Sequence, residues 1–350
     1  MKVLQLIDSL NAGGAERMAI TLANTLSENL KESFLCATRS EGILKNSIHS
    51  NTTFLFLGKK GTLDVTALLR LRKFVRQNKI SIVHAHTTSY FFATLLKLTL
   101  PAIKLIWHEH HGKRVTTNRS HNLMLYLCSL FFSSIITVNE DLRVWCTRHL
   151  ATKKVTYLPN FVMTSPNSTE RLQRDKTIIC LANLREPKNH LNLLKAFLKI
   201  HHRAAHWKLQ IVGSDYSDRY SEDLKEFISE NRLVDVVDLL GGGEDTANLL
   251  KQASIGVLSS DSEGLPMALL EYGAAGLAVV TTRVGSCEEV ISTFGITVPA
   301  QDSEALSEAL LLYTNDQEKR LRDAKLFKTH IETNYSQKAV LPQLLALYYK

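Results

Sequence analysis

Two carboxylates, Glu263 and Glu271, frame the segment Ser259-Ser260-Asp261-Ser262-Glu263-Gly264-Leu265-Pro266-Met267-Ala268-Leu269-Leu270-Glu271. Gly264 relaxes the backbone, and Pro266 suits a helix start, where a missing N–H costs nothing. A helix beginning there offers unpaired N–H groups to an anion. Carboxylates beside a phosphate site are electrostatically unhelpful unless they accept hydroxyls, and sugar hydroxyls are good donors to them. The combination describes a phosphate flanked by sugars.

Other segments carry related chemistry. Leu181-Ala182-Asn183-Leu184-Arg185-Glu186-Pro187-Lys188-Asn189-His190 places Arg185 and Lys188 in a strand–helix turn, where two cations and a helix dipole suit a diphosphate. Near the start, Gly13 and Gly14 lie in Asn11-Ala12-Gly13-Gly14-Ala15-Glu16-Arg17. They permit a close backbone approach ahead of a helix N-terminus, though adjacent glycines are not the spaced dinucleotide fingerprint. His84-Ala85-His86 and His108-Glu109-His110-His111-Gly112 each hold histidines two apart, which share one face of a strand. A metal site is conceivable there, but no acidic or cysteine ligand is clearly placed to complete one, so none is expected.

These residues fall at the ends of alternating strands and helices. Strands are expected near Val3–Ile7, Phe34–Ala37, Thr53–Leu57, Ile82–Ala85, Leu105–Trp107 and Ile135–Val138, and helical periodicity fills most gaps, as in Leu63–Gln77. Residues 159–176 have linker composition. A second series follows, at Thr177–Leu181, Leu209–Val212, Val236–Leu240, Ile255–Leu258, Ala278–Thr281 and Ile296–Val298. The expectation is an α/β chain of two Rossmann-like parallel-sheet domains, 1–160 and 177–334, joined by a linker at 161–176. The remaining 335–350 forms a terminal helix that packs back toward the first domain, with Pro342 kinking it or lying near its start. Ligands bind beyond the carboxyl ends of such strands, so two facing sheets would share one cleft.

Composition narrows the partners. Of 350 residues, 42 are Lys or Arg and 34 Asp or Glu, a net charge of +8, which suits an anionic partner such as a nucleotide, a phospholipid surface or a nucleic acid. Five scattered cysteines without a CxxC pair point to reduced thiols in a cytosolic compartment. The apolar stretch Leu123–Val138 is too short to span a bilayer and reads as a buried helix followed by a strand.

In order along the chain, GGAER, HEHHG, NLREPKNH, EGLPMALLE and VVTTRVGSCEEVI resemble glycosyltransferase family 4, the retaining enzymes of GT-B fold, over nearly the whole length. The spacing of Glu263 and Glu271 is similar to that family's E-x7-E signature. The resemblance implies that Glu271 binds the nucleotide ribose and Glu263 lies beside the donor sugar. It implies that the backbone around Gly264, Leu265 and Pro266 approaches the sugar or phosphates. Gly13 and Gly14 then sit against the diphosphate or acceptor, and His110 best matches the histidine that contacts the donor sugar. Lys188 matches the lysine that binds the diphosphate. The arginine that commonly precedes it by five positions is replaced by Asn183, with Arg185 as a substitute. The implied reaction is retaining hexosyl transfer from a UDP- or GDP-sugar to a saccharide or lipid-linked acceptor, with no resident cofactor or metal, in envelope polysaccharide or glycoconjugate assembly. No nucleic-acid partner is implied. A basic stretch at 70–79 (RLRKFVRQNK), with Lys113, Arg114 and Arg119, suggests peripheral contact with an anionic membrane on the cytoplasmic side. Competing readings are a sugar-nucleotide epimerase, a non-catalytic sugar-nucleotide-binding protein and a metal hydrolase built on the histidine pairs.

Overall fold

The computed structural model describes residues 1–30, 32–117, 122–164, 174–204, 206–242 and 245–349. Arg119, the Lys113 side chain and positions 165–173 of the expected linker lie outside the described residues. The chain divides into two compact units, Met1–Met163 with Val340–Lys350, and Thr164–Ala339.

The first unit is built on seven strands: β1 (Val3–Ser9), β2 (Ser33–Ser40), β3 (Thr52–Phe56), β4 (Ile82–His86), β5 (Lys104–Glu109), β6 (Ser134–Thr137) and β7 (Val155–Tyr157). They form one parallel sheet in the order β3-β2-β1-β4-β5-β6-β7. Its helices are α1 (Gly14–Asn29), α2 (Val65–Gln77), α3 (Tyr90–Thr99), α4 (Leu123–Ser129) and α5 (Glu140–His149). Strands such as VLQLI are covered on both faces and so are apolar nearly throughout, as parallel strands must be. Helix starts are set by side-chain caps: Asp64 accepts from the Ala67 N–H of α2, and Asn139 from the Leu142 N–H of α5. The expected start of α2 at Leu63 moves to Val65 because Asp64 takes the cap. Leu71 and Val75 of α2, Phe92 and Leu96 of α3, and Trp107 of β5 belong to one buried cluster under these helices.

The second unit holds six parallel strands: β8 (Thr177–Leu181), β9 (Lys208–Val212), β10 (Val237–Leu240), β11 (Ile255–Leu258), β12 (Ala278–Thr282) and β13 (Ile296–Val298). Their order is β10-β9-β8-β11-β12-β13. Around them run α6 (His190–Ile200), α7 (Arg219–Glu230), α8 (Thr246–Gln252), α9 (Met267–Ala275), α10 (Cys287–Ile291), α11 (Ser303–Asn315) and α12 (Gln317–Asn334). The chain ends in α13 (Gln337–Tyr349), which contains Pro342.

Two features depart from the sequence reading. The three-residue edge strand β7 was not expected, since VTY sits among lysines and is only half-buried. The stretch from Leu123 does form a helix and then a strand, but only the face with Leu125, Cys128 and Ser129 is buried. Leu123, Met124, Leu127, Leu130 and Phe131 are all at least 39% exposed. Among the described residues, no helix is long and apolar enough to cross a membrane.

In each sheet the strand order reverses once, at β1/β4 and at β8/β11. Helices leave the two strands in opposite directions there, so the carboxyl ends flank an open crevice. At β8/β11 the ladder register runs only over Ile255↔Ile178 and Gly256↔Ile179. Beyond it, the buried Tyr272 hydroxyl of α9 accepts from the Leu181 N–H at 2.7 Å and donates to the Val257 carbonyl at 3.1 Å. Gly256 makes room for that ring, because a Cβ there would lie 2.5 Å from it. Tyr272→Phe leaves a buried N–H and C=O unpaired. It is expected to lower the stability of the second unit by about 2 kcal/mol, read from that unit's urea transition.

Candidate active site

The β8/β11 crevice gathers most of the residues singled out in the second half of the chain. Beyond β8, the Asn183 carboxamide oxygen accepts from the Ser214 N–H at 2.9 Å and its amide reaches the Tyr216 hydroxyl at 3.4 Å. Asn183 therefore braces two loops, and it cannot supply the cation its position would hold in the family. Arg185 is exposed in the same turn. The turn is closed by Arg185 N–H to Asn183 O at 2.8 Å and Lys188 N–H to Arg185 O at 2.9 Å. Asn189 then adopts left-handed backbone, φ 48°, and caps α6 by accepting from the Asn192 N–H.

Lys188 and Glu263, 75 positions apart, meet at 2.6 Å between Nζ and Oε1. The same carboxylate oxygen accepts from the Ser260 hydroxyl at 2.6 Å. Neighbouring bonds lock both loops together: Ser259 Oγ to Lys188 O, Asp261 N–H to Pro187 O, and Asn189 Nδ2 to Asp261 Oδ1. Thr282 at the end of β12 holds the Ser260 carbonyl at 2.6 Å. With side-chain exposures of 22% and 9%, the pair keeps a path to solvent, and removing either partner strands a half-buried charge.

The loop from Gly264 to Pro266 is buried, but its glycine is not the one in strained backbone. Pro266 is extended (φ −73°, ψ 123°) and caps α9, so the first helical residue is Met267, not Pro266. The left-handed glycine is Gly285, φ 50°, and a Cβ on it would lie 2.2 Å from the Glu263 carbonyl oxygen. The backbone freedom expected at Gly264 is thus needed across the crevice, where a second loop crosses the first. Glu271 lies half-buried on α9, directly before Tyr272.

In the first unit, Gly13 is extended (φ −157°) and Gly14 begins α1. Neither uses left-handed backbone. What Gly13 permits is a close approach by Glu16, whose Oε2 would lie 2.2 Å from an added Cβ, and Ser9 Oγ donates to the same carboxylate at 3.3 Å. The helix start expected to attract phosphate already holds a carboxylate of its own.

The histidines form a stack beside the β1/β4 reversal. His84 and His86 lie 4.7 Å apart between ring centroids, and His108 and His110 4.0 Å. Hydrogen bonds orient them. His86 Nε2 meets Gln5 Oε1 at 2.8 Å, and Gln5 Nε2 donates to the Tyr348 hydroxyl at 3.3 Å. That hydroxyl lies 2.6 Å from His84 Nδ1, and His86 Nδ1 lies 3.1 Å from His110 Nε2. An amide oxygen only accepts, so His86 carries its proton on Nε2 and takes a bond from His110 Nε2–H. His110 Nδ1 is left as a buried acceptor without a partner. His108 is buried and His111 is exposed, which leaves His110 as the partly exposed member of its run. Burial, helped by the neighbouring imidazoles, holds the pKa values of His84, His86, His108 and His110 down, that of His84 to about 3.

Ligand atoms of His84, His86 and His108 lie within 4.8 Å of one another, a spacing that could hold a metal ion. Both nitrogens of His86 and Nδ1 of His84 are already engaged, and the trio contains no carboxylate to balance a buried dication. Gln5 and Tyr348 were missed in the sequence, as was Asp8 at the end of β1. Asp8 accepts from Thr38 Oγ1 at 2.5 Å and Thr88 Oγ1 at 2.7 Å, with Lys59 Nζ at 3.7 Å. An acid closing an apolar strand (VLQLIDS) was the available signal for it.

Two parallel sheets with a cation–carboxylate crevice define the class, and comparison with known proteins agrees. The family model described as Glycosyltransferase Family 4 matches residues 12–165, and that described as Glycosyl transferases group 1 matches residues 164–325. The chain belongs to this family of glycosyltransferases. It is 24% identical over 333 residues to a Campylobacter jejuni GalNAc-alpha-(1->4)-GalNAc-alpha-(1->3)-diNAcBac-PP-undecaprenol alpha-1,4-N-acetyl-D-galactosaminyltransferase, covering 91% of this chain and 90% of that one. It is also 24% identical over 283 residues to the Escherichia coli UDP-Gal:alpha-D-GlcNAc-diphosphoundecaprenol alpha-1,3-galactosyltransferase, covering 72% and 71%. The solved structure of Anabaena Alr3699/HepE in complex with UDP and glucose shares the fold, with a TM-score of 0.83 at 14% identity and coverage of 100% and 99%.

Two outcomes follow from this geometry. For His84 the folded pKa lies below the ordinary 6.5, so its contribution to stability is present above pH 6.5 and is lost as pH falls toward about 3. The urea midpoint of the first unit should therefore fall with acid over that window, and His84→Gln should flatten part of the slope. Gly285→Ala forces a Cβ against the Glu263 carbonyl in left-handed backbone. It should cost about 1–3 kcal/mol in the second unit's urea transition and weaken nucleotide binding by calorimetry.

Proposed function

We propose that this glycosyltransferase takes its sugar from a UDP- or GDP-sugar, keeps the anomeric configuration, and passes it to a saccharide carried on a lipid diphosphate. The observation that supports this most is the Lys188–Glu263 pair at the β8/β11 reversal, with Ser260 on the same carboxylate oxygen. A cation suited to phosphate and a carboxylate suited to hydroxyls stand side by side at this reversal. The named activities of the Campylobacter and E. coli relatives, and the UDP and glucose in the Anabaena structure, support the donor and acceptor classes.

In this reading Lys188 leaves Glu263 for the diphosphate when the donor enters, Arg185 adds a second positive charge, and Glu263 is freed to accept sugar hydroxyls. Glu271 takes the ribose hydroxyls. Backbone around Gly264, Leu265 and Pro266 lies along the phosphates and sugar; Pro266 itself offers no N–H. The bond from the anomeric carbon to the diphosphate breaks and the bond to the acceptor oxygen forms. The departing diphosphate takes the acceptor's proton. His110, whose buried Nδ1 has no partner within the protein, serves the donor sugar, and Gly13 and Gly14 lie against the diphosphate or the acceptor. No resident metal or cofactor takes part. The acceptor is met at an anionic membrane surface on the cytoplasmic side, through the first unit.

Calorimetry with UDP-, GDP-, ADP- and TDP-sugars, first without metal, tests the reading. Selective micromolar binding by one donor is expected. Glu271→Ala should weaken it at least about tenfold, and Lys188→Ala should lower turnover roughly 10²-fold or more. Unchanged binding and turnover in both variants would overturn the site.

A further inference from the structure

The helix expected to be buried is apolar all round, and protein covers only one side of it. Leu125 and Cys128 of α4, with Phe132 just beyond, face the cluster shared with α2 and α3. On the opposite side Leu123, Met124, Leu127, Leu130 and Phe131 are between 39% and 61% exposed. Their spacings of three and four line one helical face. A helix apolar on every side belongs in a core or in lipid. Five large apolar side chains on one short exposed face exceed the scattered hydrophobes of an ordinary surface. The helices next in line, α3 against α4 and α2 against α3, carry Leu98 and Leu69, both also exposed.

Charge selects the occupant. From Val65 to Asn139 the chain carries ten Lys or Arg residues and a single Asp or Glu, Glu109. Glu109 is buried and paired with Arg114, so it does not offset the surface charge. Lys73 and Arg76 of α2 and Lys79 just after it are exposed. An apolar helix face in a stretch of ten cations, bounded by Asp64 before it and Glu140 and Asp141 after it, matches acyl chains below anionic headgroups. A second copy of this chain would match it poorly, because a twofold contact through this face would bring two cationic surfaces together.

We propose that α4 and the following Leu130–Phe131 insert into the acyl boundary of an anionic bilayer surface, while Lys73, Arg76 and Lys79 engage its headgroups. The proposal rests on the membrane reading given above and moves the inserting element from the basic stretch at 70–79 to α4. Vesicle binding is scored apart from donor binding, so the two readings fail separately.

The test uses the full chain and sedimentation with phosphatidylcholine vesicles, with and without phosphatidylglycerol, at low and high salt. The parent should bind the anionic vesicles, and more weakly at high salt. Leu127→Glu with Leu130→Glu should reduce binding at least about tenfold at either salt. Lys73→Glu with Arg76→Glu should lower binding to anionic vesicles at low salt to the high-salt level. Phe131→Trp should shift its emission to the blue on vesicles, against a constant background because Trp107, Trp145 and Trp207 are buried. All these side chains are exposed or face outward, so melting temperature and donor binding should stay at the parent's values. No binding to anionic vesicles at low salt would overturn the proposal. So would unchanged binding by the double glutamate variant, or a dimer of the parent that this variant abolishes in the absence of vesicle binding.

Discussion

The Tyr272 hydroxyl stands where β8 and β11 stop pairing, and the second unit's site depends on that position. It takes the Leu181 N–H and the Val257 carbonyl, two ladder groups that would otherwise be buried without partners. With those groups satisfied, the strands can diverge at their carboxyl ends instead of continuing as a closed sheet. The loops that leave them, one carrying Lys188 and the other Glu263, then meet across the opening. Gly256 belongs to the same device, since the ring occupies the space a side chain there would fill.

Around that opening the loops are fixed to each other more than to the sheet. Ser259, Asn189 and Asp261 bond across the gap, Thr282 holds the Ser260 carbonyl, and the Gly285 backbone presses on the Glu263 carbonyl. Preorganisation of this kind holds a cation and a carboxylate 2.6 Å apart. The pair is also a natural exchange point. Under the proposed function, an entering diphosphate replaces Glu263 as the partner of Lys188, and the freed carboxylate keeps Ser260 and accepts sugar hydroxyls.

The first unit solves a different problem, that of buried imidazoles. Four neutral rings are held in register by Gln5, and by Tyr348 from the last helix, and the chain of bonds ends at His110 with one nitrogen without a partner. The tautomer of His110 is thereby set by groups far from it in sequence. The outer helices of the same unit leave apolar side chains uncovered among cations, which gives this unit a surface unlike an ordinary globular one.

Local pattern determined a great deal of this protein. Apolar runs of four to eight residues located twelve of the thirteen strands, because a parallel strand covered on both faces has little choice of residue type. The motif around Glu263 and Glu271, with the cations after β8, marked the family and the chemistry of its donor side. Tertiary structure decided what depends on distant partners. Gly264 was credited with backbone freedom that belongs to Gly285, since a left-handed residue is needed where two loops cross, and crossing is invisible along one chain. Gly13 makes room for Glu16, and Asn183 braces Ser214, contacts that spacing alone does not reveal. Leu123–Ser129 looked like a core helix because composition reports how apolar a segment is, whereas burial depends on whether other elements cover it. The Lys188–Glu263 contact joins positions 75 apart, and only the reversal of strand order at β8/β11 brings them together.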